Sequence, residues 1–255
     1  MKYINASIIQ IELQSDKYVK KPYPKYLHGL CYYLAGKDYP HEKYRPPMFH
    51  PSIMKWKGNK EWGTHAIILI SSINKDLTSN ILQSLEKVNV LRLGFNEMQL
   101  KTFTIQKQET IPLDAKVTIP VPDEFKISFN TPTRFRTRET DHYITKAYPE
   151  LNLLIRSMAR NVHILYGVKI GLKEQEELTN SIMLIDVIGY PIQAKIDRKS
   201  EFEDCFIGEI HISCRKLNQE QKKLFGILLR TAKYSGVGHK KGYGFGQIQI
   251  KRPTI

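Results

Sequence analysis

Cysteine is scarce: Cys31, Cys205 and Cys214 are the only three in 255 residues, an odd number with no CxxC pair. That excludes a disulfide framework and a cysteine-held zinc cluster, and leaves free thiols in a reducing compartment as the expected state. Long apolar runs are also missing. The longest uninterrupted aliphatic stretch is Ala66–Ile70, far short of the roughly 20 residues that span a bilayer. The opening segment MKYINASIIQIELQSD has neither the apolar core nor the small-residue cleavage site of a signal peptide, so the expected location is the cytoplasm. Acids are the third shortage: 25 Asp plus Glu face 39 Lys plus Arg, a net charge of +14. A domain this basic is expected to meet a polyanion. A membrane surface is disfavoured, because no basic amphipathic helix rich in Trp or Phe is visible. The hydrophobic fraction of 41% and charged fraction of 25% are those of a folded globular chain, which excludes disorder.

What is present is a pattern that runs twice. Residues 3–13 read as a strand, 26–34 as a short helix, 65–72 as a buried strand, and 76–88 as a helix capped by Asp76. Residues 90–110 alternate and read as strand-rich. A stretch with three prolines, 111–125, marks a boundary or connector. The pattern then restarts with a strand at 126–130, a helix at 147–166, and strands at 182–196 and 206–214. A helix at 218–233 capped by Asn218 and a last strand at 243–250 complete it. Strand, helix, strands, helix, strand is the ferredoxin-like order. The fold class expected is therefore α+β with two ferredoxin-like domains, 1–118 and 119–255.

Residues 236–246 read GVGHKKGYGFG, five glycines in eleven residues. The loop follows a helix and precedes a strand, and only nine residues come after it. A dinucleotide site needs the reverse order and a further βαβ unit, and no GK[ST] follows for a P-loop. What remains is a loop whose glycines permit close backbone approach and positive φ, beside the cations Lys240 and Lys241 and the imidazole of His239. A tight turn ending a core helix is the alternative. Upstream, KISFNTPTRFRTR (126–138) holds Lys126, Arg134, Arg136 and Arg138 and no acid, as a strand or loop gripping a phosphate backbone would. A solvated edge would look the same.

These residues resemble the CRISPR-associated repeat-processing endoribonucleases of the repeat-associated mysterious protein (RAMP) superfamily. Gly236, Gly238, Gly244 and Gly246, with Val237 and Phe245, match the family's G-φ-G, five residues, G-φ-G loop. YLHGLCY (26–32) looks like its first helix, HEKYRPPMFHPS (41–52) like the segment after it, and TPTRFR (131–136) like the opening of its C-terminal half. The resemblance implies two tandem ferredoxin-like (RRM-like) domains. It also implies metal-free cleavage of CRISPR precursor RNA to 2′,3′-cyclic phosphate and 5′-hydroxyl ends, with no cofactor. CRISPR effector subunits and a second copy of the chain stand as further partners.

Such chemistry needs a base for the 2′-hydroxyl, an acid for the departing 5′ oxygen, and positive charge near the phosphorane; histidine serves either proton role. By resemblance His41 is the catalytic imidazole, and Tyr32 aligns with a tyrosine that orients the ribose or acts as base. His28 lies one helical turn from Tyr32 and shares its face, and His50 is a stand-in for His41. Where relatives have a lysine before the Phe of this segment, Pro47 stands here, so Arg45 or Lys43 is expected to supply the charge. RNA contacts are expected from Arg45, Lys126, Arg134, Arg136, Arg138, Lys233, His239, Lys240, Lys241 and the four loop glycines. A metal nuclease is a competing reading. Its acids, Glu201, Glu203 and Asp204, read better as a solvated loop. A RAMP-fold RNA-binding subunit, which needs no histidine, is the non-enzyme alternative.

Overall fold

The computed structural model describes residues 3–36, 39, 48–59, 61–112, 121–139 and 142–251, with backbone alone at 138, 139, 142 and 143. Its first half runs β1 (Tyr3–Lys20), α1 (Pro24–Ala35), β2 (Phe49–Gly58), β3 (Trp62–Ser72), α2 (Lys75–Glu86), β4 (Val90–Leu93) and β5 (Asn96–Pro112). The second runs β6 (Glu124–Thr133), β7 (Phe135–Glu139), β8 (His142–Lys146), α3 (Leu151–Tyr166), α4 (Leu172–Ser181), β9 (Met183–Ala194), β10 (Glu203–Ser213), α5 (Gln219–Ser235) and β11 (Ile248–Lys251). Two antiparallel sheets result, ordered β2-β3-β1-β5-β4 and β11-β6-β10-β9, with β7-β8 a separate hairpin. Setting aside the added β4, both place the fourth strand beside the first, then the third and second. The expected pair of ferredoxin-like folds is present. The expected division after residue 118 lies outside the described residues.

Each sheet buries one face under its helices. In β1, Ile9, Ile11 and Leu13 alternate with Gln10, Glu12 and Gln14, and the apolar set packs on Leu27, Leu30 and Leu34 of α1 and Leu77, Ile81 and Leu85 of α2. In β6, Phe125, Ile127 and Phe129 do the same against Leu154, Met158 and Val162 of α3 and Phe225, Leu228 and Leu229 of α5. This is the period-2 strand meeting the 3.6-period helix. A third cluster joins the halves: Ile4, Ala6, Ile73 and Ile111 from the first meet Ile227 and Tyr234 of α5. Helix α5 therefore serves as core of its own half and as glue to the other.

Several local expectations change. Asn74, not Asp76, caps α2: its side-chain oxygen accepts from the Leu77 N–H at 2.9 Å, and Asp76 falls in the first turn, where a negative charge suits the helix's positive end. Asn218 does cap α5, accepting from Gln221 N–H at 2.9 Å. Strand β2 was hidden by Pro51, which is tolerated because β2 is an edge strand. The last strand starts at Ile248 rather than Tyr243, because Gly244 and Gly246 have φ of +87° and +77°, which no strand accommodates. Among the described residues no helix is long and apolar enough to cross a membrane.

Candidate active site

The glycine loop, residues 236–246, is wedged between the halves. It leaves α5 through Gly236, whose N–H donates to Ala232 O at 2.8 Å. Val237 N–H donates to Gly246 O at 2.8 Å, so the loop closes on itself. Gly246 N–H donates to Pro132 O (3.0 Å) and His239 N–H to Arg134 O (2.8 Å), pinning it along the end of β6. From α3, the Ser157 hydroxyl accepts the Gly238 N–H at 2.7 Å. The four signature glycines all have positive φ, and the space around them explains why nothing larger fits. A Cβ at Gly246 would lie 1.8 Å from Val237 O, and one at Gly236 2.6 Å from the His50 ring. The close approach that glycine allows is thus used against protein: His50 and Pro51 of β2, Arg134 and Val237.

Against this loop stands a cluster of rings from the first half. The 3-10 turn Lys241–Tyr243 presents the Gly242 carbonyl to His28 Nδ1 at 2.8 Å. Tyr243 stacks on the His28 ring, centroids 4.5 Å apart at 26°, and Tyr32 meets it edge-on at 4.8 Å. Phe49 lies 5.0 Å from Tyr32 and 5.8 Å from His28, and Tyr39 lies 5.6 Å from Tyr32. The i, i+4 spacing on α1 does put His28 and Tyr32 on one face. A carbonyl oxygen only accepts, so His28 Nδ1 must carry its proton, which leaves the Nε2 lone pair as the basic position of the neutral ring. Burial raises the Tyr32 phenol above its ordinary range, so it stays protonated at neutral pH and acts as a donor.

His50 reaches the same loop from β2, with a different character. It is 1% exposed, and its Nε2–H donates to Phe245 O at 2.8 Å. Burial above all pulls its pKa down to about 4, despite the carbonyl partner, so it stays neutral. Its ring is a fixed tie between β2 and the loop.

The expected cations divide in the same way. Arg134 and Lys240 both bond Glu203, which is largely buried; the solvated-loop reading of Glu203 is corrected, since its charge is what offsets these two cations. Lys240 also holds a φ of +62°, rare outside glycine. Lys241 is 8% exposed and donates to Asn161 Oδ1; burial, then the Arg160 charge, brings it down to about 7. His239 is half-buried and held at about 4 by burial and then by Lys240, Arg134 and Arg136. Lys233 borders a cleft of about 180 Å³ with Lys107, Glu109 and Arg230, and burial and then Lys107 lower it to about 8. Lys126 is half-buried on β6 and Arg136 is exposed on β7. His41 and Arg45, like the Arg138 side chain, lie outside the described residues. Tyr39 packs on Tyr32. Among the described residues no three His, Cys, Asp or Glu come together as metal ligands.

Sequence reasoning missed Tyr243, the Gly242 carbonyl, Ser157 and Asn161. Tyr243 was legible as the one tyrosine inside the glycine run. Asn161 was legible as a polar residue on the buried stripe of α3 that Leu154 and Met158 define.

The profile of the CRISPR-associated endoribonuclease Cas6 family matches residues 127–248. No curated protein matches the sequence. Solved structures match over nearly the whole length. A Cas6 product complex has a TM-score of 0.74 at 19% identity, covering 97% of this chain and 99% of that one. Cas6 from Thermus thermophilus gives 0.66 at 17%, covering 97% and 98%. A Cas6-related protein from Pyrococcus furiosus gives 0.61 at 18%, covering 99% and 100%. At such identities the structural likeness speaks for the fold, and the profile match for the sequence of the C-terminal half. Together they bear out the resemblance: this chain is similar to the Cas6-type CRISPR repeat-processing endoribonucleases.

Proposed function

We propose that the protein is an endoribonuclease that processes CRISPR precursor RNA within its repeats, by 2′-hydroxyl attack and without a metal. The observation that carries the reading is the imidazole of His28, held by the Gly242 carbonyl at 2.8 Å and flanked by the Tyr32 and Tyr243 rings. It is a titratable group from one half, oriented by a loop from the other, in a chain of net charge +14. In the reaction, an imidazole takes the 2′-hydroxyl proton as the 2′ oxygen bonds to phosphorus. The P–O5′ bond then breaks, and a proton passes to the departing 5′ oxygen, leaving a 2′,3′-cyclic phosphate and a 5′-hydroxyl. His41 is assigned the first proton role; His28, in its imidazolium form, gives the Nε2 proton to the departing oxygen in the second and is left with its proton on Nδ1. Tyr32, protonated, donates a hydrogen bond to the scissile ribose or phosphate. His50 holds the loop and takes no proton. Such acid–base groups contribute about 10²–10⁴-fold in rate; positioning and charge supply the rest. Arg136, Arg138, Lys126, Lys233 and Arg45 are assigned to phosphate contacts. The molecule works in the cytoplasm, alone, as a homodimer, or alongside effector subunits.

The test is incubation of the pure protein with repeat RNA in EDTA. A discrete cut that disappears when the scissile nucleotide is 2′-deoxy supports the proposal. Tight binding without cutting supports instead a non-catalytic RAMP-fold RNA-binding subunit. A cut restored only by added Mg²⁺ overturns the metal-free mechanism.

A further inference from the structure

Helix α3 belongs to the second half, yet it bears on the first half's histidine. Asn161 is fully buried on α3 and uses both ends of its amide. Its Nδ2 donates to Gly236 O and to Ser235 Oγ, each at 2.8 Å, where the glycine loop begins. Its Oδ1 accepts from Lys241 Nζ, where the loop turns toward His28. One side chain thus ties the loop's entry to its far turn. Lys241 is itself held at both ends: Gly244 N–H donates to its carbonyl at 2.8 Å, closing the 3-10 turn, and its ammonium rests on Asn161. The next peptide carbonyl, that of Gly242, accepts a hydrogen bond from the His28 Nδ1–H, and the next side chain, Tyr243, stacks on the ring.

The placement of Lys241 is expensive for the fold. Among the described residues no carboxylate meets its Nζ, and burying an amino group without a counter-charge is unfavourable whether it stays charged or gives up its proton. A methionine of similar length would fill the space without that cost. A loop that needed only packing would not require an ammonium here. A loop that must hold one carbonyl in one direction does, because the Lys241–Asn161 contact is directional and adjoins the Gly242 peptide.

We propose that Asn161, acting through Lys241, is a positioning residue that fixes the Gly242 carbonyl and thereby the ring orientation and tautomer of His28. The catalytic consequence rests on the reading of His28 as a proton-transfer residue; the positioning does not.

Two variants of the full chain test it, Asn161→Ala and Lys241→Met, with two readouts. Long-range ¹H–¹⁵N NMR of the His28 ring is expected to show the Nδ1-protonated form in the parent and a mixture of tautomers in both variants. Cleavage of repeat RNA is expected to lose kcat on the order of 10²-fold with KM changed less than about threefold, as for a misaligned group and not a lost binding contact. Lys241→Met removes a buried amino group and keeps the packing but leaves Asn161 Oδ1 without that donor, so its Tm is expected within a few degrees of the parent's. This variant remains informative if Asn161→Ala fails to fold. A folded Lys241→Met with an unchanged His28 spectrum overturns the proposal, as does a loss confined to KM. If the parent does not cut RNA, the functional reading fails, while the NMR comparison still decides the positioning.

Discussion

The two halves leave their last helix in opposite ways. In the first, α2 passes to β4 across Lys87–Asn89, a turn of minimal length. In the second, α5 passes to β11 across residues 236–247, a loop bonded to β6 and α3 of its own half that also reaches His28 and His50 of the other. After the first helix of each half the connections differ in content: residues 36–48, the stretch that contains His41, follow α1, and the added helix α4 follows α3. Two copies of one plan thus become a single asymmetric site because the lengthened connection of the second half reaches His28 of α1 and His50 of β2. Here α1 and β2 present the rings, and the glycine loop supplies the carbonyls that hold them.

The largest way to break that asymmetry is to remove its proton carriers. His41→Ala is expected to abolish cutting, and His28→Ala to slow it by roughly 10²–10⁴-fold, with RNA affinity within a few-fold in both; single-turnover cleavage beside a binding titration checks this. Retained cutting in His41→Ala would move the first role to His28. Next comes the loop's own geometry. Gly246→Ala puts a Cβ 1.8 Å from Val237 O at a φ of +77°, and is expected to cost about 3 kcal/mol or more in urea unfolding. Third is acid. His50 has a folded pKa of about 4 against an ordinary 6.5, so the unfolded chain binds the extra proton. Stability is full above pH 6.5, falls as pH drops toward 4, and levels below it. At about 1.4 kcal/mol per unit the loss from this residue is on the order of 3 kcal/mol, and thermal melts between pH 7 and 4 should show it weakened in His50→Asn. Smallest is the outer basic face. Arg136→Ala is expected to lower the salt slope of RNA binding by roughly one, whereas Arg134→Ala, already committed to Glu203, acts mainly through stability.

Much of this scaffold was legible. The alternation of β1, the stripe of α5 and its Asn218 cap follow from local rules, and they placed both ferredoxin-like units. What stayed hidden has physical causes. Helix α4 is too polar to show a buried stripe; Leu178 is its one buried residue. Strand β2 carries a proline that only an edge position forgives. In the site, one-residue reasoning found His28, Tyr32 and the glycines, because their types advertise chemistry or backbone freedom. It made His50 a stand-in for His41, since nothing local marks an imidazole as 1% exposed. It gave Lys240, Lys241 and Arg134 to the ligand, when Glu203 and Asn161 claim them inside the protein. Those partners lie 37, 80 and 69 positions away along the chain, which is why pattern alone could not pair them.

The His28–Gly242 contact spans 214 positions, and it sets an order of events during synthesis. A ribosome finishes the first sheet, its helices and all its histidines well before the peptide that orients the ring exists. Until residues 236–246 have emerged and seated themselves, the growing chain holds its imidazole without the carbonyl that directs it. On the proposed reading, a chain that stops short of residue 236 is therefore expected to cut no RNA.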